Sequence, residues 1–276
     1  MAPQPAFLDL PARSVKPRNT GLTHVLDKGL GPTEIDLLLS RVGAYVDAWK
    51  LGWGTAYLEP DVAEKVAVLV RHRTRACVGG TLLEVAWGQG RADECLAWAA
   101  DAGFPCVEVS NGAIGMPLSE KRRLIGTAAG RFTVLSEVGS KDPGVLVSPE
   151  AWADELEGDL SAGASWVLTE GRESGTVGLF HPDGRVREDV VETVVERVGL
   201  EHLIFEAPQR SQQAWLIRRF GAEVNLGNVS TQEIVSVEAL RRGLRADTIE
   251  LSQRGTATGA EPAERVGSAR GAEAET

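Results

Sequence analysis

Acidic and basic side chains recur in this sequence directly after short apolar runs. The carboxylates Glu137, Glu170 and Glu206 have such positions, and so do the cations Lys50 and Arg172. Carboxylate oxygens are ligands that Mg²⁺ prefers, whereas Lys and Arg neutralise the phosphate or carboxylate groups of a substrate. If the fold brings these side chains together, they predict a site for a divalent cation and an anionic substrate.

A wider set of polar side chains shares these positions. In chain order it comprises Asp27 with Lys28, Asp47 with Lys50, Glu84, Glu108 with Ser110 and Asn111, Glu137 with Ser140 and Lys141, Glu170 with Arg172 and Glu173, Glu206 with Gln209, and Asn225 with Asn228. Any one of them is as readily explained by a helix cap or a solvated ion pair. Their register is more informative, because Leu135 and Glu137 share one face of an extended chain, as do Leu168 and Glu170.

The apolar runs alternate with longer segments of helical period, and these elements must position the polar side chains. The strand candidates are residues 23–26, 43–49, 76–78, 106–109, 133–137, 166–169, 203–205 and 223–226. The helical segments are residues 33–41, 60–72, 90–102, 119–129, 149–162, 187–198, 209–220 and 231–244. Ser230 with Glu233 predicts a capping box at the start of the last helix.

Strands that alternate with helices predict parallel strands joined by right-handed crossovers. Eight such units indicate an α/β protein with a single (β/α)8 TIM barrel. We expect residues 1–22 to form an N-terminal arm across the bottom or side of the barrel, residues 23–250 to form the barrel, and residues 251–276 to form a disordered tail. The competing architecture is a doubly wound open sheet, which concentrates ligand contacts at one switch point. Polar residues follow nearly every strand candidate, and this distribution favours the barrel.

Composition excludes several classes of protein. Of the 276 residues, 43% are hydrophobic and 25% are charged, which is ordinary globular usage and argues against wholesale disorder. The formal net charge of -10 argues against nucleic acid or an anionic membrane as a partner. No apolar run is long enough to span a membrane, and the three cysteines follow neither a disulfide pattern nor zinc spacing. We therefore expect a cytoplasmic protein with no membrane partner.

Motifs of several common enzyme classes are missing. The glycines between residues 171 and 178 do not match the dinucleotide fingerprint, no Walker-type Gly-Lys-Ser occurs, and the four histidines lack metal-ligand spacing. The segment Asn225-Leu-Gly-Asn228 leads to a helix start, where barrels often bind phosphate through backbone N–H groups. A plain tight turn explains that segment equally well.

Seven motifs in colinear order give the sequence a family resemblance. They are Lys16-Pro-Arg-Asn-Thr-Gly-Leu-Thr-His-Val-Leu-Asp-Lys-Gly29, Lys50-Leu-Gly-Trp-Gly-Thr55, Gly79-Gly-Thr81, Ser136-Glu-Val-Gly139, Glu170-Gly-Arg-Glu-Ser-Gly175, Phe205-Glu-Ala-Pro-Gln209 and Asn225-Leu-Gly-Asn228. Together they resemble the phosphosulfolactate synthase family, from about Lys16 to Asp247. The resemblance implies a (β/α)8 lyase that adds sulfite to phosphoenolpyruvate with Mg²⁺, giving (2R)-phospho-3-sulfolactate, the first step toward coenzyme M in methanogens.

Strand-end position and side-chain chemistry suggest a role for each residue in that reaction. Lys141 is the candidate general acid that protonates C2. The candidate substrate-binding residues are Lys28, Lys50, Arg172, Gln209, Asn225 and Asn228. The candidate Mg²⁺ ligands are Glu137, Glu170 and Glu206. The partners would be small anions, phosphoenolpyruvate and sulfite, and a homo-oligomer is expected because barrels of this kind commonly associate.

Two departures from the family pattern keep other functions open. The chain has Ser140-Lys141 where the family often has paired lysines, and Ser110-Asn111-Gly112 where it often has Ser-Asp-Gly. One alternative is a phosphoenolpyruvate-using barrel enzyme with a different nucleophile. A second is a non-catalytic interaction protein, like the stress-associated plant relatives of the family. A third is a Schiff-base lyase that uses Lys28, Lys50 or Lys141.

Overall fold

A computed structural model, which describes residues 7–139 and 147–253, contains eight parallel strands that close into a barrel. The strands are β1 (Thr23–Asp27), β2 (Ala48–Leu51), β3 (Arg75–Val78), β4 (Cys106–Val109), β5 (Thr133–Val138), β6 (Trp166–Thr169), β7 (Leu203–Glu206) and β8 (Leu226–Ser230). Each strand pairs with the next in the sequence, and β8 pairs with β1. The predicted α/β class and TIM barrel are confirmed.

Helices surround the barrel. In the described ranges they are α1 (Pro32–Val42), α2 (Thr55–Leu58), α3 (Val62–Arg71), α4 (Gly80–Gly88), α5 (Ala92–Asp101), α6 (Leu118–Ala129), α7 (Pro149–Ser161), α8 (Glu188–Val198), α9 (Arg210–Phe220), α10 (Ile234–Arg241) and α11 (Glu250–Gln253). The larger hydrophobic core includes Trp49, Trp152 and Phe205, each almost fully buried. Among the described residues no helix combines the length and the apolar character needed to cross a membrane.

The predicted bounds of β2 and β8 are wrong. Residues 43–45 form a 3₁₀ turn directly after α1, so β2 begins only at Ala48. The eighth strand begins at Leu226 and continues through Asn228, which has a left-handed φ of 53°. The Gly-Asn pair looks like a turn in the sequence, but the barrel extends the strand through it.

Two helix predictions also differ from the structure. The predicted capping box is absent, since α10 begins at Ile234 and Ser230 instead hydrogen-bonds Gln232. Helix α4 was not predicted, and it carries Glu84, which the sequence placed near the end of β3.

Side chains inside the barrel form two layers. The lower layer is apolar and consists of Leu22, Cys77, Cys106, Leu135, Leu168 and Ile204. Strand residues two positions apart point to the same side, so the strands that supply Cys106, Leu135 and Ile204 place glutamates directly above them. The apolar layer therefore closes the barrel beneath a charged one.

The described part of the N-terminal arm, residues 7–22, packs at the opposite end of the barrel from these glutamates. Nε of Arg13 lies 3.2 Å from Oε2 of Glu238 on α10, and Leu22 enters the apolar layer. The segment assigned to the tail begins with the helical residues of α11, and residues 254–276 lie outside the described ranges. The boundaries at residues 22 and 250 stay predictions.

Candidate active site

Four buried charged side chains meet near the carboxyl-terminal ends of the strands. Lys50 comes from β2, Glu108 from β4, Glu137 from β5 and Glu206 from β7. Nζ of Lys50 lies 3.0 Å from Oε2 of Glu108, 2.9 Å from Oε1 of Glu206 and 3.6 Å from Oε2 of Glu137. One ammonium group therefore contacts or faces three carboxylates inside the barrel.

Burial and charge act against each other in this group. Burial alone would lower the pKa of Lys50, but the charges of Glu108, Glu206 and Glu137 raise that pKa well above its usual value. Burial is also the largest effect on Glu108, and it raises the pKa of that carboxyl to about 7 against the attraction of Lys50. These effects keep Lys50 as a cation and favour the protonated form of Glu108 more than in an exposed glutamate.

The three carboxylates form a group that could hold a metal ion. One oxygen from each of Glu108, Glu137 and Glu206 lies within 4.8 Å of the others. Three carboxylates outnumber the single ammonium, and buried negative charge of this kind calls for a further cation or a proton. Because Mg²⁺ prefers hard carboxylate oxygens, these residues fit that ion.

Glu170 lies beside this group, directly after β6. Its Oε1 accepts a hydrogen bond from the backbone N–H of Arg172 at 2.6 Å, and Oε2 of Glu206 accepts one from the N–H of Gly171 at 3.1 Å. A Cβ atom on Gly171 would lie 2.6 Å from the carbonyl oxygen of Glu206, so the close approach of β6 and β7 requires glycine. The two glutamates therefore fix the start of the loop that follows β6.

A cavity of about 370 Å³ opens above the carboxylates. Its wall includes Gly79, Gly80 and Thr81 at the N-terminal turn of α4, together with Arg172 and Asn228. Backbone N–H groups and the helix dipole make such a turn favourable for an anion. The side chain of Arg172 is exposed in this wall and has no ion-pair partner within the described ranges.

The first turn of α4 is packed so tightly that it needs glycine. A Cβ atom on Gly80 would lie 2.2 Å from Oγ of Ser110, which itself donates a hydrogen bond to Oε1 of Glu84. The N–H of Gly80 donates to Oε1 of Glu108 at 2.9 Å. The turn that could bind an anion is therefore fixed to the same carboxylate that contacts Lys50.

The structure gathers six of the predicted site residues around this cavity. They are Lys50, Glu137, Glu170, Arg172, Glu206 and Asn228. Lys28 lies at the outer rim, where its half-exposed Nζ is 3.7 Å from Oε2 of Glu173 and 5.5 Å from the ring centre of Trp53. The predicted roles of these residues stay predictions.

Two predicted site residues lie elsewhere, and a third is outside the described residues. Gln209 caps the start of α9, and its Nε2 donates to the carbonyl oxygen of Ser174 at 2.6 Å. It therefore stabilises the loop after β6 and does not line the cavity. The predicted placement of Asn225 at the mouth is wrong, because the residue precedes β8 at the opposite end of the barrel. There its Oδ1 accepts from the N–H of Leu22 at 2.9 Å. Lys141 lies outside the described residues.

One residue of the site and one buried residue in the barrel near it were not given a role from the sequence. In the sequence, Glu108 is one of many polar residues that follow strands. Because Cys106 lies inside the barrel and residues two positions apart on a strand share a face, the spacing of Glu108 from Cys106 is the signal that Glu108 points inward. His24 on β1 is fully buried, and neither ring nitrogen has a hydrogen-bond partner among the described residues. Burial, followed by the charge of Lys50, lowers the pKa of His24 to about 3, so the ring is neutral.

An eight-stranded parallel barrel with charged side chains and a cavity at the carboxyl-terminal strand ends has the architecture of a TIM-barrel enzyme. Residues 11–247 match the model of the (2R)-phospho-3-sulfolactate synthase family, and the chain belongs to this family. It is 43% identical over 245 residues to phosphosulfolactate synthase of Methanothermobacter thermautotrophicus, covering 87% of this chain and 95% of that protein. It is 37% identical over 247 residues to phosphosulfolactate synthase of Bacillus subtilis, covering 88% and 98%.

A solved structure supports the fold independently. The crystal structure of 3-hexulose-6-phosphate synthase from Salmonella typhimurium superposes with a TM-score of 0.52, covering 84% of this chain and 94% of that one. At 14% sequence identity this likeness concerns the fold alone.

Proposed function

We propose that this chain is a carbon–sulfur lyase that adds sulfite to C3 of phosphoenolpyruvate with Mg²⁺, giving (2R)-phospho-3-sulfolactate. The observation that carries the proposal is the contact of Lys50 with buried carboxylates beneath a cavity that also has anion-binding groups. The name of the matched family supports the same product. A reaction that joins two anions needs positive charge and a divalent cation within one cavity, and these residues fit that need.

The reaction forms one bond to sulfur and one to hydrogen. The lone pair on sulfite sulfur bonds to C3, and the electrons of the C2–C3 double bond move toward C2 and the adjoining carboxylate. A proton then bonds to C2, while the phosphate ester stays intact and no group leaves. Negative charge therefore builds up next to C2, and preorganised positive charge at that place lowers the barrier.

The chain's own residues divide the work of binding and proton transfer. We assign the phosphate group to Arg172 and the first turn of α4, because both face the cavity and both favour anions. Lys28 at the rim attracts anions toward the entrance. Lys141, outside the described residues, remains our candidate for the proton donor to C2.

The carboxylates would hold the metal ion. Glu108, Glu137 and Glu206 are the residues whose oxygens converge, and Lys50 fixes their side chains by its ion pairs. When bound, Mg²⁺ supplies a positive charge that stabilises negative charge developing on substrate oxygens. Glu170 stays a further candidate ligand beside this group.

The test is product formation by the purified protein. We expect phosphoenolpyruvate, sulfite and Mg²⁺ to give phosphosulfolactate, detected by ³¹P NMR and mass spectrometry, and we expect a chelator to abolish it. The variant Glu206→Gln should lose about 100-fold or more in kcat, whereas Glu192→Gln on the exposed side of α8 should keep most of its activity. Failure to consume phosphoenolpyruvate with sulfite would overturn the proposal.

The same assay separates the other functions. Consumption of phosphoenolpyruvate only with a nucleophile other than sulfite would indicate a different reaction of the same site. No consumption with any nucleophile would favour an interaction protein, and borohydride trapping of a keto substrate would reveal a Schiff-base lysine. A cytoplasmic location and a homo-oligomer remain part of the proposal.

A further inference from the structure

A second polar cavity lies at the opposite end of the barrel from the candidate active site. Its volume is about 620 Å³, and it lies between the N-terminal arm, the turn after α1, the end of α3 and the end of α10. We call it the basal pocket and define it by the wall residues Lys16, Arg18, Tyr45, Arg73, Glu238 and Arg242. Nothing in the proposed reaction uses this pocket.

Positive charge dominates the wall of the basal pocket. Some of its cations are neutralised: Arg13 pairs with Glu223 and Glu238, Arg18 with Asp47, and Arg71 with Asp36.

Two other cations of the pocket are unpaired. The side chains of Arg73 and Arg242 have no ion-pair or hydrogen-bond partner within residues 7–139 and 147–253. The pocket thus retains uncompensated positive charge in a protein whose formal net charge is -10.

Lys16 adds to this charge. Its Nζ donates hydrogen bonds to the carbonyl oxygens of Gly43, Val46 and His72 and to Oγ1 of Thr74, but it forms no ion pair with a carboxylate of the described residues. Burial lowers the pKa of Lys16 to about 8, the charge of Asp47 acts against this shift, and the charges of Arg18, Arg75 and Arg73 act with it. A bound anion would compensate the crowding of these cations.

The backbone at Arg73 is the second notable feature. The residue follows α3 with a left-handed φ of 55°, and its N–H donates to the carbonyl oxygen of Val70 while that of Thr74 donates to Leu69. Helices often end in this way, but glycine usually occupies the left-handed position because other side chains are strained there. Arg73 therefore keeps an unfavourable backbone conformation at the edge of the basal pocket.

A buried arginine lies close to the pocket. Arg241 on α10 is fully buried, and within the described part of the chain its guanidinium donates to the carbonyl oxygens of Leu22, Ala222 and Val224. No carboxylate pairs with it among the described residues, so its charge adds to the positive potential near the arm.

We propose that the basal pocket binds a small anion that carries a phosphate group, at a site separate from the candidate active site. Guanidinium groups pair with phosphate oxygens through two parallel hydrogen bonds, which suits Arg73 and Arg242. The cavity is larger than a phosphate ion needs, so it has room for a phosphorylated small molecule. The negative net charge disfavours a long polyanion such as nucleic acid.

The test is calorimetric titration of the full chain with inorganic pyrophosphate in the presence of a chelator. We expect binding to weaken at least about tenfold in Arg73→Gly and in Arg242→Gln, because each loses a charge-assisted contact with the anion. The melting temperature of Arg73→Gly should be unchanged or higher, since glycine relieves the left-handed backbone. That combination separates a ligand contact from a purely structural role.

Two controls locate the bound anion. Arg131→Gln removes an exposed charge at the end of α6 and should leave the affinity unchanged. Arg172→Gln changes the candidate active site and should also leave the basal affinity unchanged. The proposal is overturned if the parent does not bind pyrophosphate, if both basal variants bind it like the parent, or if only Arg172→Gln weakens binding. None of these results depends on whether the chain makes phosphosulfolactate.

Discussion

Nζ of Lys50 on β2 lies 2.9 Å from Oε1 of Glu206 on β7. In the closed barrel these strands are separated by β1 and β8, so the contact crosses the interior instead of joining neighbours. Glu108 completes the arrangement from β4, at 3.0 Å from the same ammonium. A single lysine therefore connects widely separated strands at the level of the cavity floor.

Removal of that ammonium should destabilise the fold. In Lys50→Met the carboxylates of Glu108 and Glu206 would be buried without their cation, and we expect the free energy of unfolding at pH 7 to fall by about 3–5 kcal/mol. Urea unfolding measures this change. Lys28→Met removes a half-exposed lysine at the rim and should change stability by less than about 0.5 kcal/mol. Equal stability of both variants would contradict a structural role for the ion pairs.

Substrate binding should depend on Arg172. Because its side chain is exposed and has no ion-pair partner among the described residues, Arg172→Gln should leave the melting temperature unchanged. We expect kcat/KM to fall about 10- to 100-fold, mainly through a higher KM for phosphoenolpyruvate, since a charge-assisted contact is lost. Steady-state kinetics test this expectation, with Arg185→Gln on the same loop as a control that keeps normal kinetics. An unchanged KM would remove Arg172 from the binding site.

His24 should make the fold sensitive to acid. Its pKa in the folded chain is about 3, lowered from 6.5 by burial and then by Lys50, whereas in the unfolded chain the ring protonates near its ordinary value. Between about pH 6.5 and 3 the unfolded state therefore binds the extra proton, and stability falls as the pH is lowered. In His24→Leu this part of the pH dependence should disappear.

The same variant should be as stable as the parent, or more so, at pH 7. Leucine removes two buried ring nitrogens that have no hydrogen-bond partner among the described residues. Urea unfolding at a series of pH values between 4 and 8 measures both effects. A variant with the same pH profile as the parent would show that His24 is not the acid-sensitive group.

Gly80→Ala should disturb the first turn of α4. The added methyl group would lie 2.2 Å from Oγ of Ser110 and 3.2 Å from its backbone nitrogen, so Ser110 or the turn whose N–H donates to Glu108 must move. We expect a loss of about 1–3 kcal/mol in stability and a larger relative loss of activity. Gly130→Ala is the matched control, because that position has open space and a right-handed φ of -72°. It should stabilise the fold by up to about 1 kcal/mol.

Local pattern predicts much of this fold. Residues 106–109 and 166–169 were predicted at the bounds that β4 and β6 have, because β-branched residues between turn signals suffice to identify a buried strand. The start of β2 was misplaced because the apolar residues before it form a 3₁₀ turn that follows α1 directly, and local pattern does not distinguish that turn from a strand.

The candidate site was predictable to a similar degree. The alternation of Leu135 with Glu137 identifies an inward carboxylate, whereas the choice between Glu108 and Glu170 as a neighbour of Lys50 depends on where each strand ends around the barrel. No residue spacing in the sequence gives the distance from Lys50 to either of these carboxylates. Asn225 was misplaced for a related reason, since the strand begins after it and continues through a left-handed asparagine.

The order of the charged residues along the chain also bears on biosynthesis. Lys50, Glu108 and Glu137 are translated well before Glu206, and β1 gains its second neighbour only when β8 has been made. A nascent chain that ends before β7 already contains Lys50, Glu108 and Glu137. It lacks Glu206, and its barrel cannot yet close around these buried charges. The ribosome must therefore release nearly the whole barrel before this layer can assemble, and shortened products should be substrates for chaperones and proteases.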